Sequence, residues 1–164
     1  MNPFQGGWLI MLTVGAAMVL GVAHLPEAAP QWLGWLRPDW VVLVVFYWVM
    51  ATPHRLGLVA AWVIGLLVDV LLSQPLGLNG LCFAALTFVT WSFYERLRMY
   101  SVAQQGAVIF LMVLGIEIVR QGTEMLTHQT GFSWGLVVPA LLSMVLWPPV
   151  YLALRELRRQ FSVE

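Results

Sequence analysis

Between Arg37 and Asp69 the chain reads RPDWVVLVVFYWVMATPHRLGLVAAWVIGLLVD, an almost unbroken apolar stretch that ends on a carboxylate. Such a stretch restricts the fold severely. In lipid every backbone N–H and C=O must find its partner within the protein, which leaves helices and closed barrels. No run here has the apolar/polar alternation of a barrel strand, so helices are expected. The approach to the carboxylate is patterned as well: Gly57, Ala61, Gly65, Asp69 and Ser73 recur at i+4, which stacks them on one helix face. Small residues at that spacing let a second helix come close. An acid at the end of such a seam must be held by something, because an unpaired charge away from water is costly.

Composition settles the setting. With 60% hydrophobic and 10% charged residues and a mean hydropathy of +0.82, there is too little polar surface to coat a soluble globule. An integral membrane protein is expected, as one polytopic domain over residues 1–164. Eight arginines and no lysine balance eight acidic residues to a formal charge of zero, so there is no basic footprint for nucleic acid. Cys82 stands alone in an apolar run and reads as a small packing residue. The N-terminal segment lacks the basic start of a signal peptide and is read as a retained first span.

Six apolar runs follow one another: 8–23, 40–51, 56–72, 80–94, 102–119 and 136–154. The second is short, about 18 Å at 1.5 Å per residue. It is expected to borrow Trp32 to Leu36 and to be interrupted at Arg37-Pro38, where proline removes a backbone donor, with Asp39 capping the helix that follows. With six spans, one side of the membrane holds Arg55, Arg96, Arg98, Arg155, Arg158 and Arg159, and the other Arg37 and Arg120. That imbalance puts both termini in the cytoplasm and Trp32, Trp35 and Trp134 at the outer interface.

This topology brings Arg37, Asp69, Glu117 and Arg120 to a similar depth as an intramembrane charge cluster. Asp69 is expected to pair with Arg37 or Arg120, with Arg37 favoured as the nearer in sequence. Two readings stay open: a staple that fixes helix register, or a surface that recognises a partner helix or a polar headgroup. Gly57, Ala61 and Gly65 would supply a close helix contact, within the bundle or in a homodimer. Glu117, Gln121, Glu124 and His128 continue one polar stripe, read either as a plain interfacial helix end or as a docking surface. On the cytoplasmic side Pro53, His54 and Arg55 form a tight turn that a lipid phosphate or a partner could contact. Trp147, Pro148 and Pro149 mark an expected kink in the last run. The tail RELRRQ suits anionic lipid. The three histidines lie apart, no metal or cofactor motif and no nucleophile beside a base is legible, and an enzyme is not expected.

Arg37-Pro38-x-Trp40, Tyr47-Trp48, Pro53-His54-Arg55, Gly65 with Asp69 four on, Leu76-Gly77, Gln104-Gln105 and Leu146-Trp147-Pro148 followed by Arg155 together resemble the rod shape-determining protein MreD family of Gram-negative bacteria. The resemblance runs along nearly the whole chain. It implies a non-enzymatic scaffold of the inner-membrane elongation complex that binds the transmembrane helix of MreC. MreB, RodA and a class B penicillin-binding transpeptidase are implied as further partners in lateral peptidoglycan synthesis. It also implies an architecture similar to the substrate-binding membrane subunits of vitamin importers. The rival is a small-solute or lipid-binding transporter subunit, in which Asp69 and Glu117 would face an outward-opening polar cavity. A wet cavity beside Asp69 would favour the rival, and a closed, dry arrangement the scaffold.

Overall fold

The structure is a computed structural model that describes residues 7–22, 37–53, 56–128 and 133–161. Among these residues every regular element is helical: α1 (Gly7–Val22), α2 (Trp40–Ala51), α3 (Leu58–Leu71), α4 (Leu78–Ser92), α5 (Tyr94–Met99), α6 (Val102–His128), a 3₁₀ turn (Trp134–Leu136) and α7 (Val137–Gln160). The apolar runs therefore became helices, with two differences. Helix α6 runs on to His128, well past the last apolar residue of its run at Val119. The polar stripe from Glu117 is thus wound into the same rod. Between α4 and α6 the chain adds the short α5, where Arg96 and Arg98 sit in the last turn and offset the helix dipole.

Helix α2 is the centre of the bundle, in contact with α1, α4, α5, α6 and α7. All ten residues from Val41 to Met50 are buried. A helix that is apolar on every side belongs in a core, and here about 18 Å of it is enclosed by protein. The Asp39 carboxylate caps it by accepting from the Val42 N–H at 3.3 Å, as its position before the run leads one to expect. Residues 32–36, which the run was expected to borrow, lie outside the described residues. Around α2, α3 packs on α4 and α6 on α7. Trp48 in the core donates its indole N–H to the Thr13 hydroxyl of α1 at 2.9 Å, and that hydroxyl in turn bonds the Leu9 carbonyl.

Outside this core the helices present apolar side chains. Met11, Val59, Leu81, Leu111 and Val145 are all largely exposed, one from each of α1, α3, α4, α6 and α7. Apolar surface distributed so widely is unfavourable in water and natural in lipid. The segments Val102–Thr127 and Trp134–Gln160 are each long and apolar enough to cross a membrane. Helices α2, α3, α4, α6 and α7 alternate in direction. The start of α2, the end of α3, the start of α4, the Arg120 region of α6 and the start of α7 share one end of the bundle, as the bonds described next show.

Candidate functional site

Asp69 is completely buried on the last turn of α3. Four residues earlier, Gly65 meets the start of α4 so closely that a Cβ there would strike the Asn79 carbonyl and stand 2.6 Å from the Gly80 Cα. That approach is what brings the Asp69 carboxylate under the first turn of α4. Gly77 begins α4 in a left-handed conformation, φ 98°, which suits glycine and leaves the cap position without a side chain. Asp69 supplies the missing acceptor from the neighbouring helix. Its Oδ2 accepts from the Gly77 N–H at 2.8 Å, and its Oδ1 from the Asn79 N–H at 2.9 Å and the Asn79 side-chain amide at 2.8 Å. A carboxylate at a helix N-terminus takes up otherwise unpaired N–H groups and lies favourably in the dipole.

The expected direct pairing of Asp69 with Arg37 or Arg120 is therefore corrected. Among the described residues the ion pairs at this end are Arg120–Asp39 at 2.8 Å and Arg120–Glu117 at 2.7 Å. Arg120 reaches Asp69 one residue removed, donating its Nε–H to the Asn79 Oδ1 at 2.8 Å. Asn79, itself fully buried, spends its second amide hydrogen on the Gln74 side-chain oxygen at 2.7 Å. The physical reason is economical: main-chain N–H groups at the start of α4 satisfy Asp69 without a guanidinium, which leaves Arg120 for two other carboxylates. Asp39 adds a further tie, its backbone N–H donating to the Ser143 hydroxyl of α7 at 3.0 Å. One polar network thus joins α2, α3, α4, α6 and α7.

Two recesses flank the network. One, of about 210 Å³, is lined by Arg37, Asp39, Glu117 and Arg120 against apolar residues of α1 and α3. The other, of about 340 Å³, is lined by Gln74, Glu117, Arg120, Gln121 and Glu124. Asp69 borders neither. Three members of the expected cluster, Arg37, Glu117 and Arg120, meet at one recess, while Asp69 lies behind Asn79. The cluster holds charge in fixed geometry, and the described residues include no group of His, Cys, Asp or Glu suited to a metal ion.

The other sequence-derived positions separate. Ala61 and Gly65 are buried on the α3 face, so the small-residue seam is occupied inside the chain. Gly57 is the N-cap of α3 with open space around it and contributes no close contact, a correction to its place in the seam. Ser73 lies beyond the end of α3 at φ 54°, so the i+4 stripe stops at Asp69. Gln121 donates to the Ser133 carbonyl at 3.2 Å, and Glu124 is exposed. Pro53 sits in the turn after α2, and His54 and Arg55 lie outside the described residues. Pro148 and Pro149 are inside a continuous α7. Trp147 beside them is fully buried, edge-on to Phe46 at 5.3 Å, and its indole N–H donates to the Gln105 Oε1 at 3.2 Å.

Sequence reasoning missed Asn79 and Gln105 as structural centres. Asn79 had one available signal: a lone amide in the first turn of an apolar helix has to spend its hydrogen bonds inside the protein, whereas Gln105 was masked by its neighbour Gln104.

The model of the rod shape-determining protein MreD family matches residues 2–157. The chain belongs to the MreD family. A relative from Haemophilus influenzae, named rod shape-determining protein MreD, is 32% identical over 144 residues, covering 87% of this chain and 89% of that protein. Asp39, Asp69, Asn79 and Arg120 all lie within the part that the MreD family model matches. No solved structure matches the chain. Membership assigns a role in rod shape determination to a helical membrane protein.

Proposed function

We propose that the chain is a non-enzymatic scaffold of the bacterial elongation complex, a six-span protein of the inner membrane with both termini in the cytoplasm. It binds the transmembrane helix of MreC and helps organise lateral peptidoglycan synthesis together with MreB, RodA and a class B penicillin-binding transpeptidase. The topology is supported by the arginines: Arg98, Arg155 and Arg158 gather at the end of the bundle away from Arg120, in keeping with the positive-inside rule. The observation that carries the scaffold reading is the closure of Asp69. The carboxylate borders neither flanking recess and its oxygens accept from N–H groups of the fold, which suits a register-fixing role better than binding of a solute. Any homodimer uses a surface other than the Ala61–Gly65 seam, which α4 already covers.

The test is co-purification of full-length chain with MreC from detergent, alongside variants that place a large residue on one exposed helix face at a time, Gly115→Leu on α6 and Val59→Trp on α3. Both positions are open in the fold, so the variants keep their elution volume on gel filtration. MreC carried by the wild type and lost on one face supports the reading and locates the contact. A monodisperse wild-type chain that carries no MreC overturns it.

A further inference from the structure

At the end of the bundle away from Arg120 lies a recess of about 220 Å³, lined by Tyr47, Arg98, Gln105, Tyr151, Arg155 and Arg158. Its chemistry is one-sided. Three guanidinium groups, one from α5 and two from α7, border it, and no acidic residue does. Among the described residues none of the three arginines has a carboxylate within ion-pair distance: the acid nearest in sequence to Arg155 and Arg158, Glu156, lies 3.8 Å from Arg159. Arg98 and Arg155 are exposed and Arg158 half-buried, so the three present a concentrated positive field at a surface recess that an anion can enter.

The wall between them is rigid. Tyr47 is 2% exposed on the central helix, with its ring held edge-on by Trp48 at 5.5 Å and Tyr151 at 5.8 Å. Its side chain lines the recess, and a phenol hydroxyl beside three cations is suited to donate to an acceptor held by them. Gln105, by contrast, is already committed: it donates to the Leu97 carbonyl at 2.9 Å and accepts from the Trp147 indole. By gripping Leu97 it fixes α5, and so the backbone of Arg98, against α6. Aromatic side chains of the kind enriched at membrane interfaces lie at the same end of α7. Trp8 and Phe161, half-exposed and edge-on at 5.2 Å, join the start of α1 to the end of α7 three residues past Arg158.

We infer that this recess binds the phosphate of an anionic phospholipid headgroup, with Arg98, Arg155 and Arg158 supplying the charge and the Tyr47 hydroxyl a hydrogen bond. Guanidinium groups suit phosphate oxygens because they present paired donors in a plane. Basic pockets between membrane helices facing the cytoplasmic leaflet are where such headgroups bind. The volume is that of roughly seven liquid waters, room for a phosphate and its ester carbons. The inference uses the membrane reading of the chain and is independent of MreC binding.

The test uses full-length chain purified in neutral detergent, with melting temperature and native mass spectrometry read as phosphatidylglycerol, phosphatidylcholine or inorganic phosphate is added. Phosphatidylglycerol raises the melting temperature and remains bound in the mass spectrum, and the other two do neither. The double variant Arg155→Gln/Arg158→Gln keeps the lipid-free melting temperature and weakens the response at least tenfold. Tyr47→Phe weakens it several-fold, and Arg96→Gln/Arg159→Gln, outside the recess, leaves it unchanged. An equal response to inorganic phosphate makes this a soluble-anion site and overturns the lipid assignment. An equal loss in both arginine pairs reduces the effect to general charge and overturns the site. No response to either anion also overturns it, and leaves an acidic peptide as the occupant to examine.

Discussion

Gly65 and Asn79 meet backbone to backbone: the space in which a side chain on residue 65 would stand is filled by the Asn79 carbonyl and the Gly80 Cα. The contact sets the distance between α3 and α4, and that distance in turn places the Asp69 carboxylate on the N–H groups of residues 77 and 79. A glycine and a buried acid four residues apart are therefore parts of one joint.

Gly65→Ala is expected to lower stability by about 1–3 kcal/mol, the usual cost of overpacking, because the obstructing atoms are backbone and cannot swing away. Gly65→Leu is expected to give no monodisperse protein. Gly115→Ala, at an exposed site on α6 with nothing near its missing Cβ, is expected to be neutral or to stabilise by up to about 1 kcal/mol through helix propensity. Melting temperatures of detergent-purified protein give the comparison, and equal behaviour of Gly65→Ala and Gly115→Ala would contradict the close joint.

The Asp69 network predicts a specific pattern of charge reversal. Since Asp69 bonds to N–H groups and reaches Arg120 only through Asn79, Asp69→Arg is not rescued by Arg120→Asp. Asp69→Asn places an amide among three donors and loses charge-assisted bonds of about 1.5–3 kcal/mol each. A double-mutant cycle is expected to give stronger coupling for Asp69 with Asn79 than for Asp69 with Arg120. The reverse order would restore a direct ion pair.

How far the sequence discloses this arrangement depends on what kind of group does the holding. The helices were legible because lipid leaves an apolar run little alternative, and the 102–119 run marked the start of α6 but stopped nine residues short of its end at His128. Glu117 and Arg120 were legible together because three residues apart on a helix are neighbours, and the 2.7 Å pair follows from that spacing. The partner of Asp69 was not, because two of its three donors are main-chain N–H groups, which every residue but proline carries and no sequence pattern marks. Its third donor, the Asn79 side-chain amide, belongs to no motif in the sequence. Likewise Arg98 and Arg155 come from distant parts of the chain, and only the packing of α5 and α7 around α2 brings them to one recess. The 40–51 run was read as a short span, while its lack of any polar face already described a helix enclosed on all sides.

Arg120 is expected to resist conservative replacement. One guanidinium nitrogen serves both Asp39 and Glu117 while Nε serves Asn79, and a lysine ammonium has no second nitrogen with which to copy that division. Arg120→Met leaves the two carboxylates without their cation and is expected to cost about 3–5 kcal/mol, as for other broken buried pairs. Adding Asp39→Asn and Glu117→Gln to Arg120→Met is expected to recover part of the loss. A triple variant no more stable than the single one would show that the carboxylates were not the source of the penalty.

Trp147 carries the last prediction, at the seam between α6 and α7. Pro148 has no N–H to give the carbonyl four residues back, that of Met144, and this same oxygen lies 3.4 Å from where a Cβ on Gly106 would be. Glycine at position 106 thus lets the α6 backbone approach a carbonyl that lacks its usual i+4 donor, while the adjacent Gln105 takes the Trp147 indole hydrogen. Trp147→Phe keeps the edge-on contact with Phe46 but strands the Gln105 oxygen, at about 1–3 kcal/mol for a buried acceptor without its donor. Trp147→Ala adds a cavity and is expected to cost about 3–5 kcal/mol. Trp147→Phe combined with Gln105→Leu removes both ends of the bond and is expected to sit closer to wild type than Trp147→Phe alone, provided α5 tolerates losing the Gln105 grip on the Leu97 carbonyl. Amide hydrogen exchange in α5 separates the two effects: it quickens when that grip is lost, and stays at its wild-type rate in Trp147→Phe alone. Faster exchange in both would place the disturbance in the α6–α7 seam as a whole, against the division of labour assigned to the two ends of the Gln105 amide.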